Sequence, residues 1–249
     1  WVGCDRLGLI RITPDNQQVL YSDIYFPGNT TQSLENIRSI YEDSNGKLWI
    51  GSGKGLCSYN PTNNHVESTI LKYGWEWPDV CYRMHEFDQG KLTITNQFGI
   101  EIIDLKNGKL EKIQMPDNYA PWSIRSITKD KNLNFWFVSG DIGMCKLTPE
   151  GELTYFTYEK DKFRESKLYS QEIVGDTMWI GSNTGLMAFD MNKEKVVTSY
   201  SERAGLSNNL VYITLKSAAY LWISSKRAIN RLSLNDFKID KYYTNNLFI

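Results

Sequence analysis

Short apolar runs, separated by turn residues, follow one another along the whole chain. Each run is four to six residues long, and several carry a tryptophan in nearly the same string, such as LWIGS, FWFVS, MWIGS and LWISS. The equivalent positions, called anchors below, are Trp1, Trp49, Thr93, Trp136, Trp179 and Trp222. Successive anchors are separated by 48, 44, 43, 43 and 43 residues. This period predicts six copies of one supersecondary unit.

Each copy has the pattern of four short antiparallel strands. The strand that contains the anchor ends in a turn closed by Gly8, Gly55, Gly99, Gly143 or Gly185, and a further apolar strand follows. We predict a strand ahead of the anchor over 37–41, 81–87, 124–128, 172–174 and 210–215, and a last strand over 19–21, 68–71, 110–113, 153–156, 196–200 and 239–243. Short strands at regular spacing favour an all-β fold, and no helical apolar period persists beyond about two turns.

One four-stranded sheet of this kind cannot bury both of its faces, so each unit must stack on a neighbour. Short sheets stacked radially form a β-propeller, in which the anchor tryptophan fills the space between two blades. We predict one β-propeller domain over residues 1–249, either a six-bladed ring or part of a seven-bladed propeller. Trp1 is expected to begin at the second strand of its blade. Residues 244–249 are similar to 207–213, which predicts that they begin the strand that the first blade lacks.

The residues also resemble a known family. Residues 36–52, NIRSIYEDSNGKLWIGS, followed by Gly55-Leu56, resemble the two-component regulator propeller repeat, and residues 204–209 resemble its lead-in. The resemblance implies the periplasmic sensor region of a Bacteroides-type hybrid histidine kinase, whose kinase lies outside this chain. It implies a glycan fragment or other small molecule as ligand, no enzymatic activity of this segment, no cofactor and a parent protein that is a homodimer.

Composition excludes several classes of protein. A net charge of −1 gives no basic field for nucleic acid, and no apolar run approaches the length of a membrane-spanning helix. Cys4, Cys57, Cys81 and Cys145 lack the spacing of a metal site, so we expect buried thiols and no metal. The two histidines, His65 and His85, have no spacing typical of a metal site or a catalytic triad.

Binding has better candidates than catalysis. In a propeller, the loops that enter the inner strands gather at one rim around the central opening, where ligands favour the concave mouth. Aromatic rings stack on the apolar face of a sugar, and arginine binds hydroxyl or carboxylate groups. The candidate ligand-binding residues are Trp75, Trp77, Arg83, Trp122, Arg125 and Arg38. Arg38 and Arg125 each lie eleven residues before their anchor. The alternative is that these tryptophans plug loops and these arginines pair with carboxylates between blades.

Three functions remain open at this point. The first is a propeller sensor that binds an oligosaccharide or similar small molecule without altering it. The second is a propeller enzyme, a lyase or hydrolase, with its site in the channel mouth. The third is a protein-interaction platform with no small ligand.

Overall fold

The computed structural model describes residues 1–4, 8–15, 17–21, 23–26, 30–33, 37–52, 55–60, 65–71, 81–96, 99–113, 124–140, 143–157, 167–226 and 228–243. The chain divides into two compact units, Trp1–Ile124 and Arg125–Ile249. Within the described residues, the only helical element is a single 3-10 turn, Glu202–Ala204, and no helix is long and apolar enough to cross a membrane.

The first unit holds three blades and a hairpin. Blade 1 comprises β1 (Val2–Cys4), β2 (Gly8–Ile12) and β3 (Gln18–Tyr21), and a hairpin of β4 (Asp23–Phe26) and β5 (Thr30–Ser33) follows it. Blade 2 comprises β6 (Ser39–Glu42), β7 (Leu48–Ser52), β8 (Gly55–Asn60) and β9 (His65–Leu71). Blade 3 comprises β10 (Arg83–Asp88), β11 (Lys91–Asn96), β12 (Gly99–Asp104) and β13 (Leu110–Ile113). Blade 1 has three strands in the described residues, and residues 244–249, which were predicted to begin its missing strand, lie outside the described part of the chain.

The second unit holds three four-stranded blades. Blade 4 comprises β14 (Ile124–Lys129), β15 (Phe135–Ser139), β16 (Gly143–Leu147) and β17 (Leu153–Thr157). Blade 5 comprises β18 (Leu168–Val174), β19 (Thr177–Ser182), β20 (Gly185–Asp190) and β21 (Lys195–Tyr200). Blade 6 comprises β22 (Val211–Ser217), β23 (Tyr220–Ser225), β24 (Ala228–Ser233) and β25 (Ile239–Tyr243). Within each blade, strands that follow one another in the chain are hydrogen-bonded neighbours, which is the predicted blade.

Apolar layers between consecutive blades form the core of each unit. Trp49 packs with residues of blade 3, Trp136 with residues of blade 5 and Trp179 with residues of blade 6. All three indoles are buried. The anchor therefore belongs to the interface with the next blade, and the core of each unit depends on stacking rather than on one sheet.

The glycine two places after the anchor permits close stacking. A Cβ on Gly51 would lie 2.6 Å from the Cβ of Cys81, and a Cβ on Gly181 would lie 2.8 Å from Cγ1 of Val211. Cys81 precedes the inner strand of blade 3, and Val211 begins the inner strand of blade 6. The glycine of the WIGS string is therefore required because the next blade's inner strand approaches its backbone closely.

Two features differ from the sequence predictions. No strand was predicted between residues 21 and 37, but this part of the chain contains the β4–β5 hairpin, which accounts for the longest interval between anchors. The last strand of blade 2 was predicted over 68–71, but β9 already begins at His65. Both errors have the same origin, because polar residues such as Thr30, Thr31 and Gln32 form strands when a partner strand is adjacent.

Three thiols are buried, as predicted. Burial raises the pKa of the Cys57 and Cys81 thiols to about 12 and also raises that of Cys145. Protonated thiols of this kind behave as small apolar side chains and react slowly. The side chain of Cys4 lies outside the described part of the structure.

Candidate functional site

One position recurs at the start of each inner strand from blade 2 to blade 6. This position comes directly after a buried apolar residue. In blades 2, 3, 5 and 6, the residue that follows it pairs with the residue two places after the anchor. Ser39 pairs with Gly51, Arg83 with Thr95, Ser170 with Gly181 and Ile213 with Ser224. We call this recurring position the rim position. Its occupants are Arg38, Tyr82, Arg125, Tyr169 and Tyr212.

The backbone pairing is irregular at the rim position of blades 5 and 6. The registers of β18 and β22 shift between Leu168 and Ser170 and between Val211 and Ile213, so the tyrosine between each pair is the extra residue of a bulge. In blades 2 and 3 the rim residue's N–H bonds the carbonyl of the strand residue two places after the anchor, Gly51 or Thr95. A bulge of this kind redirects a side chain, which is why bulges are frequent beside binding sites.

The rim position lies at the same end of the blade as the turn after the anchor strand. At the start of β18, the N–H of Lys167 donates to Oδ1 of Asn183 at 2.8 Å, and the N–H of Asn183 donates to the carbonyl of Lys167 at 3.1 Å. In blade 4, the guanidinium Nε of Arg125 lies 3.7 Å from the place of a Cβ on Gly140. Inner-strand starts and these turns therefore form one end of each unit.

The second unit brings two of the rim residues into contact. The rings of Tyr169 and Tyr212 have centroids 5.6 Å apart and planes inclined at 47°. Tyr212 is 44% exposed and Tyr169 is half-buried, so the pair presents ring surface to solvent. Below them, the hydroxyl of Thr214 donates to Oγ of Ser170 at 3.3 Å, which ties the two inner strands together. The result is a rigid aromatic surface on adjacent strands.

Arginine supplies the charge at the rim position of blades 2 and 4. Arg38 is exposed and Arg125 is half-buried. Arg83 is one residue further along its strand than the rim position of its blade, Tyr82, and is half-buried in the β10–β11 pair. The structure therefore places Arg38 and Arg125 at equivalent positions, as predicted, and places Arg83 at a different one. Arg38, Tyr82 and Arg83 belong to the first unit, and Arg125, Tyr169 and Tyr212 to the second.

The three predicted tryptophans, Trp75, Trp77 and Trp122, lie outside the described residues. The sequence reasoning missed Tyr82, Tyr169 and Tyr212. Tyr82 is eleven residues before Thr93, so the spacing that identified Arg38 and Arg125 could have identified it. Tyr169 and Tyr212 are only ten residues before their anchors, in blades whose first two strands are joined by a turn of two residues rather than the five of blades 2 and 4.

The described part of the chain offers few residues suited to catalysis or metal binding. No three residues among its histidines, cysteines, aspartates and glutamates lie together as a metal site. His85 lies on the inner strand β10, with its ring 4.4 Å from Phe87 and 5.6 Å from Tyr41. Partial burial against these rings lowers the pKa of His85, although the neighbouring Glu86 acts in the opposite direction. The contacts of the His85 ring with two aromatic rings fit a packing role.

Comparison with known proteins supports the fold and the resemblance. Residues 31–54 match the model of the two component regulator propeller family. No curated protein matches the sequence significantly. The extracellular domain of BT4673 from B. thetaiotaomicron, in a structure named for a hybrid two component system, has a TM-score of 0.69 at 19% identity. That match covers 88% of this chain and 28% of the other, and a second structure of the same domain gives a TM-score of 0.71 over 29% of its chain.

Virginiamycin B lyase from Staphylococcus aureus, in a catalytically inactive form, has a TM-score of 0.69 at 16% identity. The match covers 96% of this chain and 84% of the lyase chain. These likenesses confirm the predicted all-β propeller fold, with six blades in the described residues. The chain spans less than a third of the length of the BT4673 structures. Fold likeness at this identity does not transfer an activity.

Proposed function

We propose that this chain is an extracytoplasmic sensor propeller of a hybrid two-component system, and that it binds an oligosaccharide without altering it. The observation that carries the proposal is the rim position, which holds an arginine or a tyrosine in every blade from 2 to 6. The family match over residues 31–54 and the fold shared with extracellular domains of such systems support the assignment to this class. The periplasm is the compartment that fits such a sensor.

The rim residues of the second unit suit a sugar. The exposed ring of Tyr212 and the half-buried ring of Tyr169 offer a flat apolar surface on which a pyranose C–H face stacks. Arg125, at the same position of the neighbouring blade, offers planar donors for hydroxyl or carboxylate oxygens. Trp122, two residues before β14 in the sequence, remains a proposed ligand contact. Arg38 of the first unit provides the same chemistry there, and Arg83, Trp75 and Trp77 remain proposed contacts of that unit.

Binding alone would not transmit a signal. A ligand shifts an equilibrium between two arrangements of a sensor only by the difference in its affinity for them. We therefore propose that the saccharide binds one arrangement of a parent homodimer more tightly than the other. The kinase that would read this change lies outside residues 1–249.

Calorimetric titration tests the site. The chain is titrated with short neutral oligosaccharides and with uronic-acid oligosaccharides, and the saccharide that binds is then titrated into Tyr212→Ala and Arg125→Ala variants. Loss of a stacked ring or of a charged donor costs about 1.4 kcal/mol, so Kd should rise about tenfold for each. Lys216→Ala, an exposed residue four places along the same strand β22, is the matched control and should leave Kd unchanged.

Three results would contradict the proposal. Equal Kd values for the rim variants and the native chain would remove the rim site. Cleavage of the bound saccharide, detected by chromatography, would favour the propeller enzyme instead. Binding of a purified partner protein, with no saccharide bound at any concentration, would favour the interaction platform.

A further inference from the structure

The two ends of the second unit differ in charge. Its rim end comprises the starts of the inner strands, the turns after the anchor strands and the connection 201–210 between blades 5 and 6. The basic residues described at this end are Arg125, Lys167, Arg203 and Lys226. The only acidic residue described there is Glu202, since the others of the unit lie further along the strands or in the turns of the opposite end. The described rim end therefore carries an excess of positive charge.

Two of these cations lie close to the pair of rim tyrosines along the strands. Lys167 is two residues before Tyr169, and Lys226 directly follows the strand partner of Val211, the residue before Tyr212. A strand rises about 3.3 Å per residue and neighbouring strands lie about 4.8 Å apart, so these backbone positions are within about 10 Å of the tyrosines. That distance is about one Debye length in 0.1 M salt, so both charges act on a ligand bound at the two rings.

The connection between blades 5 and 6 places a third cation nearby. The N–H of Glu202 donates to Oδ1 of Asn209 at 2.7 Å, and Oε1 of Glu202 accepts the N–H of Asn209 and Nδ2 of Asn208, each at 3.1 Å. Asn209 is three residues before Tyr212, so these bonds hold Arg203, the residue after Glu202, close to the start of β22. The same bonds occupy the carboxylate of Glu202 within the connection.

Lysines in the turns of the opposite end have carboxylate partners. The pairs are Lys131–Asp176 at 2.6 Å, Lys193–Asp190 at 2.8 Å and Lys238–Asp236 at 3.3 Å. Among the described residues of this unit, no carboxylate forms an ion pair with Lys167, Arg203 or Lys226. Residues 141–142, 158–166 and 227, which are not described, contain as many acidic as basic residues. The positive charge of the rim end is therefore available to attract an anion.

From this distribution of charge we propose that the surface formed by Tyr169 and Tyr212 takes an acidic saccharide, one with carboxylate or sulfate groups, in preference to a neutral one. The inference rests on the proposed saccharide site and adds the charge of its ligand. A sugar ring stacks on the tyrosines, and Lys167, Arg203 and Lys226 attract the acidic group that the sugar carries. Arg125, at the rim position of the neighbouring blade, adds a further positive charge.

Titration calorimetry with matched saccharides tests this preference. Galacturonic, glucuronic and mannuronic acid oligosaccharides are compared with their neutral methyl esters, and sulfated disaccharides with their desulfated forms. The acidic form of the saccharide that binds should have a Kd at least about tenfold lower than its neutral form. The difference should shrink when the salt is raised from about 0.05 M to about 0.5 M, because salt screens the charges. The uronic-acid and sulfate arms identify which acidic group the site takes.

Charge variants locate the effect on the protein. Lys167→Gln and Arg203→Gln should each raise the Kd of the acidic saccharide about twofold to threefold, since a unit charge about 8 Å away in water contributes that factor. Neither variant should change the Kd of the neutral form. The matched control is Lys195→Gln, an exposed lysine that begins β21 at the opposite end, and it should change neither Kd. All three side chains are exposed, so circular dichroism should show native folding of each variant.

Other results would overturn the proposal. Equal affinity for the acidic and neutral forms, or binding of neutral saccharides alone, would remove the charge preference and leave the saccharide site in place. An equal rise in Kd for Lys195→Gln would show that the charge of the whole unit, and not that of its rim end, sets the preference. Absence of binding by every saccharide would remove the proposed function together with this inference.

Discussion

The anchors of blades 4 and 6 have nearly the same sequence around them and different surroundings. Trp136 lies in FWFVS and Trp222 in LWISS. The indole N–H of Trp136 donates to Oδ2 of Asp130 at 2.7 Å, and blade 5 covers the ring. Trp222 instead packs beside Tyr242 and Arg231, with its ring half-buried. The string around the anchor therefore fixes the strand, while the preceding turn and the next blade fix the environment of the indole.

The preceding turn explains part of this difference. In blade 4, five residues separate β14 from β15, and Asp130 at the first of them accepts hydrogen bonds from the indole, from the Asn134 amide and from two backbone N–H groups. Blade 2 has the same arrangement, with Trp49 donating to Asp43 at 2.8 Å. In blade 6 only Ala218 and Ala219 separate β22 from β23, so the turn has no residue at the aspartate's place.

Truncation of the two anchors should give the largest contrast. Trp136→Ala removes a buried indole from the layer between blades 4 and 5, and we expect a loss of about 3–5 kcal/mol of unfolding free energy. Trp222→Ala removes a ring that is already half in water, so the loss should be about 1–2 kcal/mol. Urea unfolding of both variants of the chain 1–249 measures the difference. Equal losses would show that the exposed anchor is as well packed as the covered one.

Removal of the aspartate should have the next largest effect. Asp130→Ala leaves the indole N–H of Trp136 and two turn N–H groups without their acceptor, at a cost of about 2–3 kcal/mol of unfolding free energy. The matched control is Asp236→Ala, an exposed aspartate of the β24–β25 turn that touches no anchor, and it should change stability by less than about 1 kcal/mol. Trp136→Phe should reduce the cost of Asp130→Ala, because no indole N–H would then remain to be satisfied.

The same carboxylate should make stability depend on pH. Burial raises the pKa of Asp130, but hydrogen bonds from Trp136, Asn134 and the backbone outweigh it and hold that pKa below its usual value. A depressed folded-state pKa gives stability that is present above the unfolded pKa, near 4, and is lost as pH falls towards the folded pKa. Urea titrations below pH 4 should therefore give a shallower fall in unfolding free energy for Asp130→Asn than for the native chain. An equal fall in unfolding free energy with pH for the two proteins would contradict the assignment of this pH dependence to Asp130.

The sequence predicted the blades well because their strands follow from local patterns. Apolar runs and turn residues located β13 and β25 to the residue, and the anchors located the interfaces. The β4–β5 hairpin could not be predicted in this way, since its second strand, Thr30–Ser33, contains only polar residues and pairs with β4.

The candidate site was predicted less completely than the fold. Equal spacing to the anchor found Arg38 and Arg125, but it could not find Tyr169 and Tyr212, whose blades have a shorter first turn and a bulged inner strand. The half-buried state of Trp222 could not be predicted either, because the residues around it match those around the buried anchors. Burial at a repeat interface is a property of two blades, and one blade's sequence does not contain it.

The smallest expected effect concerns the turn that positions Asp130. Leu133 has φ of 65°, while the same place in the blade 2 turn is Gly46 with φ of 77°. In both turns the N–H of this residue donates to the carbonyl of the aspartate, Asp130 or Asp43.

A leucine with a left-handed φ lowers the unfolding free energy by roughly 1–2 kcal/mol. A glycine at the same place lowers it by about 0.4–1 kcal/mol, because the unfolded chain then has greater entropy. Leu133→Gly should therefore raise the unfolding free energy slightly, by about 0.5 kcal/mol, and Gly46→Leu should lower it by a similar amount. Leu133 is 56% exposed, so Leu133→Gly removes little packing. If the two substitutions change the unfolding free energy with opposite signs in urea unfolding, backbone strain rather than packing is the cause. Destabilisation by both changes would mean that the leucine side chain supports the turn, and that the two aspartate turns are held by different contacts.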